Sequence, residues 1–174
     1  MSTDKKLAEG HIFTTQPDGV MRQDYLFRVS IKAVIYNDDG ELLVVKEHGL
    51  NWGLPGGGLD FGETFEQALA RELEEEVGYS GGFTFDVIDV ADPMYLKGID
   101  AYQVYVVCWV QPEDYDFSIG VDGEDMRFID PNELDLFDDS QAKYAKYFHE
   151  RLQERLERHH HKTWRCVQLC YGRR

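Results

Sequence analysis

The stretch GGLDFGETFEQALARELEEEVGY, residues 57–79, governs how the rest of the chain is read. Thr64 with Gln67 three residues on has the spacing of a capping box. Phe65, Leu69, Leu73 and Val77 recur at every fourth position as an apolar stripe, and Gly78 stands where a left-handed cap would close a helix. The spacing predicts a helix over residues 65–77. On that helix Glu72, Glu75 and Glu76 fall at i, i+3 and i+4, which at about 100° per residue gathers three carboxylates into one arc. Like charges so close cost stability unless a cation sits among them, and hard oxygen donors suit Mg²⁺ or Mn²⁺, which complete their shells from water and substrate phosphates. Alone, a run of glutamates is most often a solvated helix face. Here the residues around it change that reading.

Just upstream, WGLPGGG at 52–58 holds Pro55 and three successive glycines, a loop whose backbone can approach a metal or a phosphate with no Cβ in the way. Gly57, Glu63, Arg71, Glu72, Leu73, Glu75, Glu76 and Gly78 together resemble the box of the Nudix hydrolases. That signature is a glycine, five residues, Glu, seven residues, then Arg-Glu-aliphatic-any-Glu-Glu-any-Gly and a final aliphatic. Tyr79, in the last position, is the one departure, and it concerns packing after the helix.

The resemblance implies an α/β fold, an α/β/α sandwich with a mixed sheet between helices. It also implies a metal-dependent hydrolase acting on phosphoanhydrides. Glu72, Glu75 and Glu76 would be metal ligands, joined by the backbone carbonyl of Gly56. Glu63 would be a supporting carboxylate, and Arg71 would pair with a neighbouring carboxylate and tie the loop to the helix. Family members often add a carboxylate from a loop ahead of a strand that begins with an aromatic; the order Glu124, Asp125, Met126, Arg127, Phe128 assigns that place to Glu124, with Asp122 or Asp125 as alternatives. The chemistry is in-line attack on phosphorus by a metal-activated water whose proton goes to a carboxylate, with no covalent intermediate. Two rivals share the fold. Non-catalytic nucleotide-binding regulatory modules usually lose signature carboxylates, and isopentenyl-diphosphate-isomerase-like enzymes have a modified box; the intact box argues against both.

Substrate identity lies outside the box. In family terms a tyrosine about 16 residues beyond it points to dinucleoside polyphosphates, and a proline about 15 beyond points to ADP-ribose. Tyr95 and Pro93 stand near those places, so the expected substrate is a small-molecule nucleoside diphosphate derivative. Trp52, Tyr95, Tyr102 and Tyr105 are candidates for stacking on a base, against the commoner role of aromatics as core.

Working outward, LFRVSIKAVIY at 26–36 alternates apolar and polar residues, Asn37–Gly40 supply a turn, and Glu41–Lys46 resumes as a strand, which reads as a hairpin. Strands are expected at Phe83–Val90, Tyr102–Val110 and Met126–Ile129, with Pro93, Met94 and Tyr95 in a loop, and a second helix at 140–160. Residues 1–25 read as an extension able to add an edge strand, 26–162 as one Nudix-like domain and 163–174 as a tail. A homodimer through the amino-terminal strands is what the family resemblance allows.

The 174 residues, 43% of them hydrophobic, suffice for one core. Net charge is −15, and it is uneven: residues 150–174 are basic while 1–149 carry the whole acidic excess. Such a body repels polyanions, so polymeric nucleic acid is a disfavoured partner and a polyphosphate substrate needs metal to enter. No stretch has the length of an apolar membrane span, and Asp4, Lys5, Lys6 and Glu9 occupy the place of a signal-peptide core. A cytoplasmic location is expected. Cys108 reads as a core residue, and Cys166 and Cys170, with His159, His160 and His161 before them, as a solvated tail rather than a zinc site.

Overall fold

The computed structural model describes residues 11–15, 17–97, 100–132 and 145–157. Strands β1 (His11–Thr15) and β2 (Met21–Tyr25) pair with each other antiparallel, forming a two-stranded sheet of their own instead of an edge strand on the main body.

The body is built on β3 (Phe27–Val34), β4 (Leu42–Glu47), β5 (Trp52–Gly53), helix α1 (Phe65–Val77), β6 (Phe83–Val90), β7 (Met94–Leu96), β8 (Ala101–Pro112), β9 (Gly123–Ile129) and a helix α2 over 145–157. In one sheet β8 is central: β3 runs parallel to it, β6 and β7 antiparallel. In the other, β4 lies between β5 and β9, all antiparallel.

The expected hairpin of β3 and β4 is not formed. The turn is present, closed by Asn37 N–H to Glu41 O at 3.0 Å and Gly40 N–H to Asn37 O at 3.0 Å. Beyond one bridge at Tyr36 and Leu42, however, the strands part into different sheets, because β3 finds a full-length partner in β8 and β4 finds one in β9. The consequence shows in β4, whose LLVV is buried at every position. Leu43 and Val45 pack toward α1 with Ile31, Ala33, Leu69, Leu73 and Val77, while Leu42 and Val44 pack toward α2 with Val34, Phe148 and Leu152. Helices on both faces turn an alternating pattern into a continuous one, and the α/β/α sandwich expected from the box is the architecture observed.

Three further boundaries differ. Met94 and Tyr95 lie in strand β7 on the edge of β8, not in a loop. Strand β9 begins at Gly123, earlier than Met126, because a bulge opposite Lys46 and Glu47 admits the extra residue. The second helix is seen over 145–157, and the rest of its expected range lies outside the described residues, as does the His159–Cys170 cluster. Cys108 is buried in the core, its thiol pushed up to about 12 by desolvation. No helix among the described residues is long and apolar enough to cross a membrane.

Candidate active site

Helix α1 starts and stops as its sequence dictates. Thr64 Oγ1 accepts from Gln67 N–H at 3.2 Å and Gln67 Oε1 from Thr64 N–H at 2.9 Å, while Gly78 takes the left-handed φ of 58°. Tyr79 explains its departure from the aliphatic pattern: the ring is buried against Phe117, and its hydroxyl donates to Gly82 O at 2.7 Å. The far end of α1 is held by the loop before β9, where Ser118 N–H, Gly120 N–H and Asp122 N–H donate to the carbonyls of Val77, Glu76 and Glu75. These bonds satisfy helix-end acceptors that would otherwise be orphaned.

The glycine loop is bonded along β3 on the edge opposite β8. Ile31 N–H donates to Gly57 O at 2.8 Å, Ala33 N–H to Pro55 O at 2.8 Å and Leu59 N–H to Val29 O at 2.9 Å; Ser30 Oγ also donates to Gly57 O at 2.8 Å. Gly56 has φ 117°, and a Cβ there would fall 2.3 Å from Ile31 O. A Cβ at Gly57 would meet the Glu72 carboxylate at 2.5 Å. Only bare backbone lets strand, loop and helix close on one another here.

That closure buries two of the four box carboxylates. Glu72 is 8% exposed and Glu76 2%. Glu76 Oε2 accepts Gly56 N–H at 2.8 Å, and desolvation lifts its carboxyl to about 7, opposed by the Lys32 ammonium and the Gly56 N–H and reinforced by Glu47 and Glu72. Glu72 is raised as well, by desolvation first, against the pull of Arg71. Arg71 spends its whole guanidinium on the site. Nε and Nη2 clasp Glu63 at 2.8 and 3.0 Å, Nη1 reaches Glu72 Oε1 at 2.6 Å and Glu75 Oε2 at 3.2 Å, and Nη2 also donates to Gly58 O at 3.0 Å. Glu63 accepts Asp60 N–H at 2.9 Å too, and Arg71 foremost holds its carboxyl down at about 2.

The structure thus brings Glu63, Arg71, Glu72, Glu75, Glu76 and the Gly56 loop together. It also brings in a residue whose role sequence reading missed: the Lys32 ammonium donates to Leu54 O at 3.0 Å and to Gly56 O. The only sequence signal is a lysine that follows Arg28 and Ser30 at the polar positions of an alternating strand. Among the described residues no three His, Cys, Asp or Glu side chains converge as a ready-made metal cage. The chain's own cations, Arg71 and Lys32, lie against these acids. Buried glutamates with raised pKa values are short of positive charge, so the donor set fits a further hard cation; Gly56 O, already bonded to Lys32, is the exception.

Glu124 lies in β9, with Lys46 Nζ 2.6 Å from its Oε1, both side chains partly exposed. Asp125 pairs with Arg127 at 2.6 Å. Of the aromatics, Tyr95 and Tyr102 are exposed and stand 5.4 Å apart, with Phe27 6.2 Å beyond Tyr102. Phe27, Tyr102 and Tyr95 oppose one another in register, so they form a row on the sheet face that carries Val29 and Ile31 against α1. Trp52 and Tyr105 instead pack against the second core, on the α2 side, and Arg127 covers Trp52 at 4.8 Å. Two clefts of about 410 and 450 Å³ lie along α2, and neither is lined by a box carboxylate.

The raised Glu76 makes a pH prediction. Its folded pKa, about 7, exceeds the ordinary 4.5, so the native state holds the proton longer than the unfolded chain and stability falls as pH rises between those values. Glu63, shifted the other way, acts below that window. In chelator the melting temperature should decline across it, by the equivalent of about 3 kcal/mol at most, and saturating Mg²⁺ should suppress the decline by binding the ionised native form. Thermal melts over a pH series check this; a rise in chelator across the window would refute it.

A carboxylate-bearing helix set against a glycine loop in an α/β/α sandwich defines a class shared with many proteins. The sequence model of the NUDIX domain matches residues 26–164, and the chain belongs to the NUDIX family. An RNA pyrophosphohydrolase of Acinetobacter baylyi is 53% identical over 53 residues, 30% of this chain and 32% of that protein; one of Aeromonas hydrophila is 51% identical over the same length, 30% of each. The chain spans about a third of the length of the curated relatives it matches. Among solved structures, the NUDIX domain of Shewanella oneidensis NrtR, complexed with ADP ribose, superposes with a TM-score of 0.61 at 19% identity, covering 90% of this chain and 99% of that one. A MutT protein from Methanosarcina mazei gives 0.60 at 18%, covering 74% and 95%. These likenesses establish the fold.

Proposed function

We propose that this chain is a Mg²⁺- or Mn²⁺-dependent pyrophosphohydrolase that cleaves a phosphoanhydride bond in a nucleoside diphosphate derivative, working in the cytoplasm. The observation that carries the proposal is the pair of buried glutamates, Glu72 and Glu76, whose charge burial opposes, gathered with Glu75 on helix α1 against the glycine loop. When bound, the metal supplies a water acidic enough to attack phosphorus and offsets charge on the diphosphate. Glu72, Glu75 and Glu76 hold it. Glu63 and Arg71 position them, since one guanidinium links three carboxylates to the Gly58 carbonyl. Glu124, in the β9 bulge, is the proposed additional carboxylate, free to serve only after leaving Lys46. Tyr95, beside Tyr102 and Phe27, offers a stacking surface for the base.

The test is a metal-dependent activity screen over ADP-ribose, diadenosine polyphosphates, nucleoside triphosphates and an oligoribonucleotide with a 5′-triphosphate. The last belongs there because the curated relatives are RNA pyrophosphohydrolases, although a net charge of −15 disfavours a long polyanion. We expect turnover on the first two. No turnover on any, with nucleotide binding intact, would establish the non-catalytic alternative.

Tyr95→Ala should raise KM about 5- to 150-fold, the loss of about 1–3 kcal/mol of stacking, with kcat changed far less because the contact is alike in ground and transition states. The ring is exposed, so the melting temperature should hold. An unaltered KM would remove Tyr95 from the substrate site.

A further inference from the structure

Three polar side chains of β3, Arg28, Ser30 and Lys32, share the face turned away from Val29 and Ile31, and two of them are spent on the glycine loop. Ser30 Oγ donates to Gly57 O at 2.8 Å and Lys32 Nζ to Leu54 O at 3.0 Å. Arg28 is different. Its guanidinium lies against Gly58, where a Cβ would fall 2.3 Å from Nη2 and 2.8 Å from Cζ. Gly58 has no left-handed φ, so what this glycine provides is room for the guanidinium. Yet Arg28 is exposed and makes no ion pair or hydrogen bond with any described residue, in a chain of 33 acidic side chains. Gly58 O accepts from Arg71 Nη2 at 3.0 Å, so a single loop residue separates the free guanidinium from the carboxylates that Arg71 joins.

Arg28 is in register with Gln103 on the parallel strand β8, and the two side chains leave the same face of the sheet about 4.8 Å apart. Gln103 is only 6% exposed, and no hydrogen bond satisfies its amide among the described residues. Nor is that amide sealed away: among those residues Asp89 Oδ2 alone is both sealed and unpartnered. A buried amide is ordinarily hydrogen-bonded. Here one is left open beside a guanidinium that is also open, and a charged fork next to a neutral N–H donor suits an oxyanion. Lys32 and Arg71 cannot take that part, because both are already bonded to the loop or to the acids.

We propose that Arg28 and Gln103 together grip a phosphate of the bound diphosphate, across Gly58 from the α1 carboxylates. The inference rests on the phosphoanhydride reading above and adds to it the side chains that hold the substrate with no metal between. The guanidinium takes phosphate oxygens and neutralises charge that the acidic body repels, while the Gln103 amide donates to the same group.

Equilibrium binding to the full chain at saturating Mg²⁺ tests this with α,β-methylene-ADP, whose bridging carbon water cannot cleave, and with adenosine, which has the base and sugar alone. Arg28→Met should weaken the methylene analogue by about 10-fold or more, the loss of a charge-assisted bond, and leave adenosine unchanged. Arg28→Lys should recover part of that loss, since it keeps the charge without the fork. Gln103→Leu should weaken the same analogue while its melting temperature holds or rises, because it removes a buried amide that no protein group satisfies. Equal affinity of wild type and Arg28→Met for the analogue overturns the proposal. So does an equal loss for both probes, which would put the base at Arg28 in place of the phosphate. A melting temperature of Gln103→Leu well below wild type would assign the amide to the scaffold and overturn its part in the grip. Failure of the wild type itself to bind the analogue would instead sink the phosphoanhydride reading, so the two failures are told apart.

Discussion

Replacing Glu75 or Glu76 by glutamine should lower turnover by at least about 10²- to 10³-fold while leaving the fold intact. The two positions reach that result from different surroundings. Glu76 is buried, and its ionised form is opposed by desolvation and by Glu47 and Glu72. A glutamine keeps an oxygen for the Gly56 N–H, so the change removes a costly charge without orphaning its donor, and stability above neutral pH should hold or rise. Glu75 is more exposed and tied only by the 3.2 Å contact with Arg71. Its loss should leave the melting temperature nearly unmoved. Measuring kcat at saturating Mg²⁺ beside thermal melts separates chemistry from folding. Turnover within a few-fold of wild type in both variants would mean that the proposed site is wrong.

Arg71→Ala should be the most damaging single change to the site's architecture. The guanidinium touches Glu63, Glu72, Glu75 and the Gly58 carbonyl together, and without it those three carboxylates lose the cation that joins them. Breaking a partly buried network from one side costs about 2–4 kcal/mol, most of it from the partners left behind. Turnover should fall by at least about 10²-fold, because a ligand set misplaced by about 1 Å loses that much. Arg71→Lys should rescue little, since a point charge cannot bridge the acids that a planar fork reaches. A positioning role predicts that saturating Mg²⁺ restores more melting temperature to Arg71→Ala than it adds to the wild type. Equal gains would indicate that Arg71 serves the scaffold and not the carboxylates.

Determined by the sequence alone were α1, its caps and the grouping of the candidate residues from Glu63 to Glu76. Thr64, Gln67 and Gly78 act on neighbours within a turn, and three glutamates at i, i+3 and i+4 share an arc wherever the helix lies. Separation along the chain limited the rest. That β3 and β4 part depends on β8 and β9, about 70 or more residues away in register for each, and nothing within LFRVSIKAVIY or ELLVVK records those partners. Tyr95 lies in a strand because β8 folds back beside it, and Glu124 sits in a bulge because β9 must pass Lys46 and Glu47. Lys32 is the plainest case. Its carbonyl partners lie 22 and 24 positions along the chain, and the Glu76 whose charge it offsets lies on a helix beyond them. Local hydrogen bonds and helical periodicity leave a trace in spacing, whereas a contact between a strand, a loop and a helix exists only once hydrophobic burial has brought all three together.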